Sequence, residues 1–196
     1  MGRATLNETA DWLRRPLCRR YAFVQLGGLH VPELDKGAPH QRHWCWAFAM
    51  FVADEFEILG AWPTDTASVG KIADDLRNRG VLSIRVMSLA EDGRVSSLSL
   101  RSLGVALRNA EPRVLEVLRP QSLSDETVET VPSAAIRSAL DAAGRIHGGL
   151  VRGVRSRAPF PSVTAASEFV GGWLQRADRR LYEARRPITP AVAYAA

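Results

Sequence analysis

The stretch Gln41–Trp62, QRHWCWAFAMFVADEFEILGAW, decides the fold. Its first half is almost unbroken in apolar and aromatic residues, and a second apolar run follows a short polar step. Two such runs predict a buried β-hairpin, although periodicity alone also allows one buried helix. Aromatic enrichment favours strands, and Gly60 and Pro63 close the second run, so we expect the hairpin. The side chains expected in its core are Trp44, Phe48 and Phe56.

The segments on either side of this hairpin alternate between strand and helix patterns. A helix is predicted over Leu6–Arg20, where Pro16 interrupts or ends it. A strand is predicted over Tyr21–Leu26; the pair Gly27-Gly28 follows it, and Leu29–Leu34 continues in extended form. The remaining predicted elements are a loop at 35–39, helices at Thr66–Arg79 (stopped by Gly80), Leu98–Asn109, Ser133–Arg157 and Ser162–Arg185, and strands at Val81–Leu89 and Val114–Leu118. A three-strand meander followed by strands alternating with helices predicts an α/β fold with a mixed sheet covered by helices. This is the strand order of an RNase H-like domain.

Changes in composition divide the chain into five predicted segments. The segments are an N-terminal helical segment at 1–20, an RNase H-like α/β core at 21–120, a polar linker at 121–132, a C-terminal helical pair packed on the core at 133–187, and a disordered tail at 188–196. With 196 residues, the chain is long enough to bury a substantial core.

The charge balance is basic, with a net charge of +5 that comes almost entirely from arginine, since Lys36 and Lys71 are the only lysines. Such a balance suits a polyanionic partner. The preference of a GC-rich bacterial genome for arginine and alanine is the alternative explanation. The two cysteines, Cys18 and Cys45, make neither a disulfide framework nor a metal-ligand spacing. No apolar stretch reaches the ~18 residues of a membrane span, and the first residues lack a signal-peptide core, so we expect a cytoplasmic protein without membrane association.

Several short motifs, in order along the chain, resemble one family of enzymes. The run Gln41–Trp46 resembles the Arg-His-Trp/Tyr-x-Trp stretch on the second strand of DDE transposases of the insertion-sequence-six family. The further matching stretches are Asp65–Ala67, Leu100–Ala106, Pro112–Val114, and Phe160-x-Ser162 with Ala165-Ala166 and Phe169-Val170 behind it. The resemblance spans about Tyr21–Tyr182 and implies an RNase H-like core.

That family cleaves and joins DNA with two metal ions held by three carboxylates, because hard divalent cations take oxygen ligands. The resemblance assigns the carboxylate positions to Gly27, Leu98 and Gly144, the last of them three residues before His147. None of these residues binds a metal, so it implies a catalytically inactive pseudoenzyme with no metal and no cofactor. A displaced metal pair formed by Asp35 and Asp92 is the alternative, although Asp in turns is ordinarily exposed.

A second resemblance concerns the end of the chain. Leu174–Arg185 is similar to the last helix of diguanylate cyclase (GGDEF) domains, and Val52–Phe56 to a degraded form of their signature hairpin. Val52 and Ala53 would replace the glycines that let nucleotide approach the backbone. A degenerate GGDEF-type signalling or interaction module, or a structural subunit of a larger assembly, therefore stays open as an alternative.

The predicted C-terminal helices carry the candidate binding residues. The arginines that we expect to contact nucleic acid are Arg137, Arg145, Arg152, Arg155 and Arg157. Phosphate contacts need only positive charge and would survive the loss of a metal triad. We therefore expect a DNA partner for these Arg-rich helices; a protein partner or a homodimer is the other expectation.

Overall fold

The computed structural model describes residues 2–35, 37–52, 55–63, 69–89, 113–117 and 133–185. The elements in these ranges are helix α1 (Gly2–Arg14), strands β1 (Arg20–Asp35), β2 (Ala38–Val52) and β3 (Glu55–Pro63), helix α2 (Val69–Asn78), strands β4 (Ser83–Leu89) and β5 (Arg113–Val117), and helices α3 (Ser133–Arg157) and α4 (Val163–Arg185). None of the helices in this part of the chain is long and apolar enough to cross a bilayer. The predicted helix Leu98–Asn109, the predicted linker at 121–132 and the predicted tail at 188–196 lie outside the described residues.

The five described strands form one mixed sheet in the order β3-β2-β1-β4-β5. Strand β2 pairs antiparallel with both β1 and β3, whereas β4 pairs parallel with β1 and β5 pairs parallel with β4. The mixed α/β sheet is therefore confirmed. The hairpin is confirmed as well, because the β2–β3 ladder runs from Trp44 opposite Pro63 to Val52 opposite Glu55.

From Trp44 to Met50 strand β2 is buried on both faces, which explains why this part of its sequence is apolar without a break. Successive side chains of a strand point to opposite faces. Trp44, Trp46 and Phe48 join a core with α1, α3 and α4, whereas Cys45 and Ala47 join a second core with α2. Trp44 and Phe48 are fully buried and Phe56 packs against the first core, as the sequence predicted.

The N-terminal segment differs from its prediction. Helix α1 ends at Arg14, and Arg20 already belongs to β1, so the helix does not continue to Arg20. Pro16 explains this early end, since proline has no N–H to donate and the residue before it is driven out of the helical region. Gly80 ends the turn after α2 with a φ of +100°, which confirms the predicted stop.

Strand β1 is one continuous strand of 16 residues and is not interrupted at its glycine pair. Gly27 therefore lies in the middle of the strand, whereas the resemblance placed it at the strand end. The predicted loop at 35–39 is also wrong, because Asp35 pairs with Ala38 and the turn is confined to the positions around Gly37. A φ of +84° at Gly37 permits so tight a connection.

The chain between α3 and α4 fastens both helices to the sheet. Phe160 donates its N–H to the Pro32 carbonyl at 2.9 Å and accepts from the Leu34 N–H at 2.8 Å. Helix α3 has the predicted bounds, and Ser162 caps α4 by accepting the Ala165 N–H at 3.2 Å. These bonds hold α3 alongside β1, where the candidate residues lie.

Candidate functional site

The first carboxylate position of the transposase resemblance, Gly27, is covered by a tryptophan. Gly27 faces Trp46 across the β1–β2 ladder. A Cβ at residue 27 would lie 2.7 Å from Cε2 of Trp46 and closer still to its Nε1. The Trp46 side chain is only 2% exposed. The indole thus fills the space that a carboxylate at position 27 would need.

The same indole is bonded to the helix that carries the third position. Trp46 Nε1 donates to Nδ1 of His147 at 3.2 Å, and the two rings are nearly parallel, with an angle of 12° between them. His147 is therefore a bonded histidine at the sheet–helix contact. Gly144, three residues earlier on α3, is exposed and has open space around it.

Of the remaining candidate positions for a metal site, only Asp35 lies within the described residues. Leu98 and Asp92 lie outside the described residues, and Asp35 ends β1 beside the turn. No group of three or more His, Cys, Asp or Glu side chains in the described ranges is arranged to hold a metal ion. Of the second resemblance, Leu174 is buried in the core at α4, and position 54 of the hairpin falls in the gap between the ranges.

Four of the five predicted arginines share one exposed face of α3. At ~100° per residue, Arg137, Arg145, Arg152 and Arg155 fall within roughly 80° of one another. All of these side chains are exposed. Asp141 is the single acid in the same sector. Arg157, by the same angular count, lies on the opposite side at the helix end and does not belong to this face. We call Arg137, Arg145, Arg152 and Arg155 the α3 arginine face.

The α3 arginine face is exposed because the other side of α3 packs on the sheet. Ile136, Ala139, Ala143, Leu150 and Val154 are buried in the core with the strands. Their spacing follows the 3.6-residue period of a helix with one apolar side. The arginines of the α3 arginine face lie on the other side of the helix from these apolar residues, and their side chains are exposed to solvent.

A cleft of about 360 Å³ opens beside the Trp46–His147 contact. It lies between the β1–β2 ladder and the C-terminal half of α3. The residues that give it its character are His30, Gln41, His147 and Arg155, with Val151 and Val154 as apolar wall. No Asp or Glu of the described ranges lines it. The nearby carboxylate of Glu33 is buried and paired with Arg42 at 2.5 Å, so its charge is compensated.

Two other arginines are engaged within the fold. Arg15 is bonded to Asp178 at 3.1 Å and to the Ile58 carbonyl at 2.8 Å. Arg79 is 7% exposed and donates to the Leu59 carbonyl at 2.7 Å. Burial lowers the pKa of Arg79, although the nearby Asp75 carboxylate opposes that shift. These two charges contribute to the structure, and net charge alone therefore overstates the surface available to an anion.

Sequence reasoning missed the cleft residues His30 and Gln41. They lie 11 positions apart on different strands, and they meet Arg155 only through the packing of α3. The sequence does contain a signal for the contact beside the cleft. Gly27 has no side chain, and it therefore leaves room for the large side chain of Trp46 on the opposite strand. The assembled arrangement offers positive charge and hydrogen-bond donors, which is the chemistry of anion binding. No protein-family model matches this chain, and no curated protein matches it.

Proposed function

We propose that this chain is a nucleic-acid-binding protein on an RNase H-like core that lacks the metal-dependent chemistry of transposases. The observation that carries the proposal is the α3 arginine face, with four exposed arginines and one acid on one side of a helix. Helix α3 rises ~1.5 Å per residue, so Arg137 and Arg155 are roughly 27 Å apart. Over that length a nucleic-acid backbone presents many phosphates.

The sheet supports the RNase H-like part of the proposal. The order β3-β2-β1-β4-β5, with an antiparallel meander of three strands and two parallel strands added beside β1, is the one that the resemblance implies. Position 27 supports the non-catalytic part. A carboxylate there would collide with Trp46, and metal-dependent strand cleavage needs oxygen ligands at fixed positions.

The binding mode follows from the residues available. Arginine forms paired, charge-assisted hydrogen bonds with phosphate oxygens whatever the base sequence. We therefore expect little sequence preference and a steep fall of affinity with salt, because each neutralised phosphate releases condensed counterion. An acidic protein partner would also bind the α3 arginine face. Its affinity, however, would not fall with salt concentration by the amount per contact that the phosphates of a duplex give.

The test compares two triple variants of equal charge. Arg145→Ala, Arg152→Ala and Arg155→Ala remove three residues of the α3 arginine face. The control variant removes the exposed arginines Arg14, Arg157 and Arg180 instead. Binding of a fluorescently labelled duplex is titrated at several salt concentrations. The face variant should lose at least tenfold in affinity, and its salt slope should fall by up to about 0.9 per lost contact, whereas the control should match the parent protein.

Equal losses in the two variants would reject the α3 arginine face. No binding by the parent protein at low salt would reject nucleic acid and favour the structural-subunit alternative. Magnesium- or manganese-dependent nicking of supercoiled DNA, abolished by Asp92→Ala, would instead contradict the non-catalytic part and favour the displaced carboxylate pair.

A further inference from the structure

We infer that the cleft between the β1–β2 ladder and α3 binds one phosphorylated nucleotide unit, with the phosphate at His30, Gln41 and Arg155. This inference deepens the proposed function and rests on it for the identification of the phosphate carrier as a nucleic acid. The cleft itself stands on its own geometry.

One side of the cleft carries polar side chains of the kind that bind phosphate. His30, Gln41 and Arg155 are exposed side chains that donate hydrogen bonds and come from three different elements. Arginine forms charge-assisted bonds to phosphate oxygens, and the His30 imidazole and the Gln41 amide each add an N–H donor. Among the described residues no acid lines the cleft, and the nearby Glu33 carboxylate is paired with Arg42.

The other side of the cleft is apolar. Val151 and Pro32 are half-buried and provide aliphatic surface, and the lining also includes the buried Leu29 and Val154. Such a wall suits a sugar or a base but offers nothing to a bare inorganic anion. Pockets for small organic ligands combine a mostly apolar wall with a few placed polar groups, in volumes of ~300–1,000 Å³. At about 360 Å³, this cleft admits a single nucleotide unit and no continuous duplex.

Contacts of the packed core hold part of the cleft lining in place. His147 is held by Trp46 at 3.2 Å, and Trp46 is wedged over Gly27, so one wall is fixed by the packed core. The chain around Phe160 bonds to β1 at Pro32 and Leu34, which fixes the opposite rim. A preformed cleft has little ordering entropy to lose on binding.

The cleft adjoins the α3 arginine face through Arg155. This residue belongs to both, whereas Arg152, three positions earlier, belongs only to the face. A nucleic-acid strand whose phosphates contact the α3 arginine face would therefore place its end in the cleft. The same chemistry also fits a free mononucleotide, and the two sources are separable by experiment.

The experiment titrates a deoxynucleoside 5′-monophosphate, with the matching nucleoside and inorganic phosphate as comparison ligands, against the full chain by calorimetry. The monophosphate should bind at least tenfold more tightly than either comparison ligand. His30→Ala and Gln41→Ala should each weaken it severalfold. Arg180→Ala removes an exposed charge outside both the α3 arginine face and the cleft lining, and it should leave monophosphate binding unchanged.

A 5′-phosphorylated single strand and its 5′-hydroxyl counterpart then compete with the monophosphate. Preferential competition by the phosphorylated strand assigns the site to a strand end, and competition by neither assigns it to the free nucleotide. No monophosphate binding, or binding that both His30→Ala and Gln41→Ala leave intact, overturns the inference even if duplexes still bind α3. Monophosphate binding without any duplex binding would uphold the cleft and reject the proposed function.

Discussion

Gly27 lies directly beneath the indole of Trp46, its partner across the β1–β2 ladder. The contact is steric and has nothing to do with backbone conformation, because a Cβ at residue 27 would meet three ring atoms of Trp46 at 3.0 Å or less. The indole N–H also donates a hydrogen bond to His147 on α3. Because residue 27 has no side chain, Trp46 of β2 packs over β1 and bonds to His147 of α3. The two strands and the helix are therefore in contact at this point.

Replacing Gly27 by alanine tests this relationship directly. Gly27→Ala should lower the free energy of unfolding by about 2 kcal/mol or more, since overpacking a buried site typically costs ~1–3 kcal/mol. Gly144→Ala is the matched control, because that position is exposed, helical and open. It should raise the free energy of unfolding by about 0.5–1 kcal/mol. Urea unfolding followed by circular dichroism measures both, and a harmless Gly27→Ala would mean that the indole is free to move.

The sequence predicted those parts of the fold that depend on local patterns. The hairpin within Gln41–Trp62, the bounds of α3 and the stop at Gly80 follow from apolar runs, helical period and glycine chemistry, and the structure agrees with each. The course of β1 did not follow, because a glycine pair locally signals a break. In β1 the glycine pair instead lies where the Trp46 side chain packs over the strand. That contact depends on the register between β1 and β2.

The candidate site was predictable to the same extent. The arginines of α3 are visible in the sequence, and helical period groups four of them while separating Arg157. The cleft was not visible, because it joins His30 and Gln41 to residues more than 100 positions later. Buried Arg79 was equally hidden, since only the packed structure reveals its carbonyl partners. Contacts that form between distant segments leave no period in the sequence.

Tyr21 should make stability fall at alkaline pH. Burial, with the neighbouring Glu57 carboxylate as the second cause, raises the pKa of Tyr21 well above its usual value of 10. Its hydroxyl donates to Glu57 and accepts the Cys18 N–H at 3.0 Å. The folded state therefore keeps this proton while the unfolded state loses it above pH 10, so the stabilisation is complete below pH 10 and is lost as pH rises.

Tyr21→Phe separates this contribution from other alkaline effects. At pH 7 the variant should be less stable by about 1–2 kcal/mol, because it loses hydrogen bonds in a buried place. At pH 10.5 the difference between the parent protein and the variant should shrink, since only the parent protein carries the linked proton. Urea unfolding at both pH values gives the two differences. A difference that stays constant or widens would contradict the raised pKa.

Cys45 should be chemically inert in the folded protein. Its side chain is 2% exposed, and burial raises the pKa of the thiol to about 12. Thiolate is the reactive form, so a buried thiol with a raised pKa reacts only after unfolding. Cys18 is exposed. At pH 8 we expect a disulfide reagent such as DTNB to modify one thiol rapidly, and Cys18→Ser to abolish that phase. Two fast equivalents would show that β2 opens readily.

The last prediction concerns Ile58 on β3, the edge of the described sheet. Asp178 of α4 accepts the Ile58 N–H at 2.7 Å, and Arg15 donates to the Ile58 carbonyl at 2.8 Å. The two side chains bond to each other at 3.1 Å, and Trp12 adds a bond to Asp178 at 2.9 Å. Together they satisfy both backbone groups of an edge residue, as a further strand would, and they close this position to strand addition.

Asp178→Ala should therefore lower the free energy of unfolding by about 1–3 kcal/mol, because the Trp12 and Ile58 N–H groups lose their acceptor in a largely buried place. Arg15 keeps the Glu57 carboxylate at 3.5 Å as its remaining ionic partner. Glu183→Ala is the matched control. It removes the same charge from an exposed position of α4 and should change stability by less than about 0.5 kcal/mol. Sedimentation velocity of both variants measures the second consequence, which is self-association of the Asp178→Ala protein through the opened edge. If Asp178→Ala is as stable and as monomeric as Glu183→Ala, then the β3 edge is protected by something other than this pair.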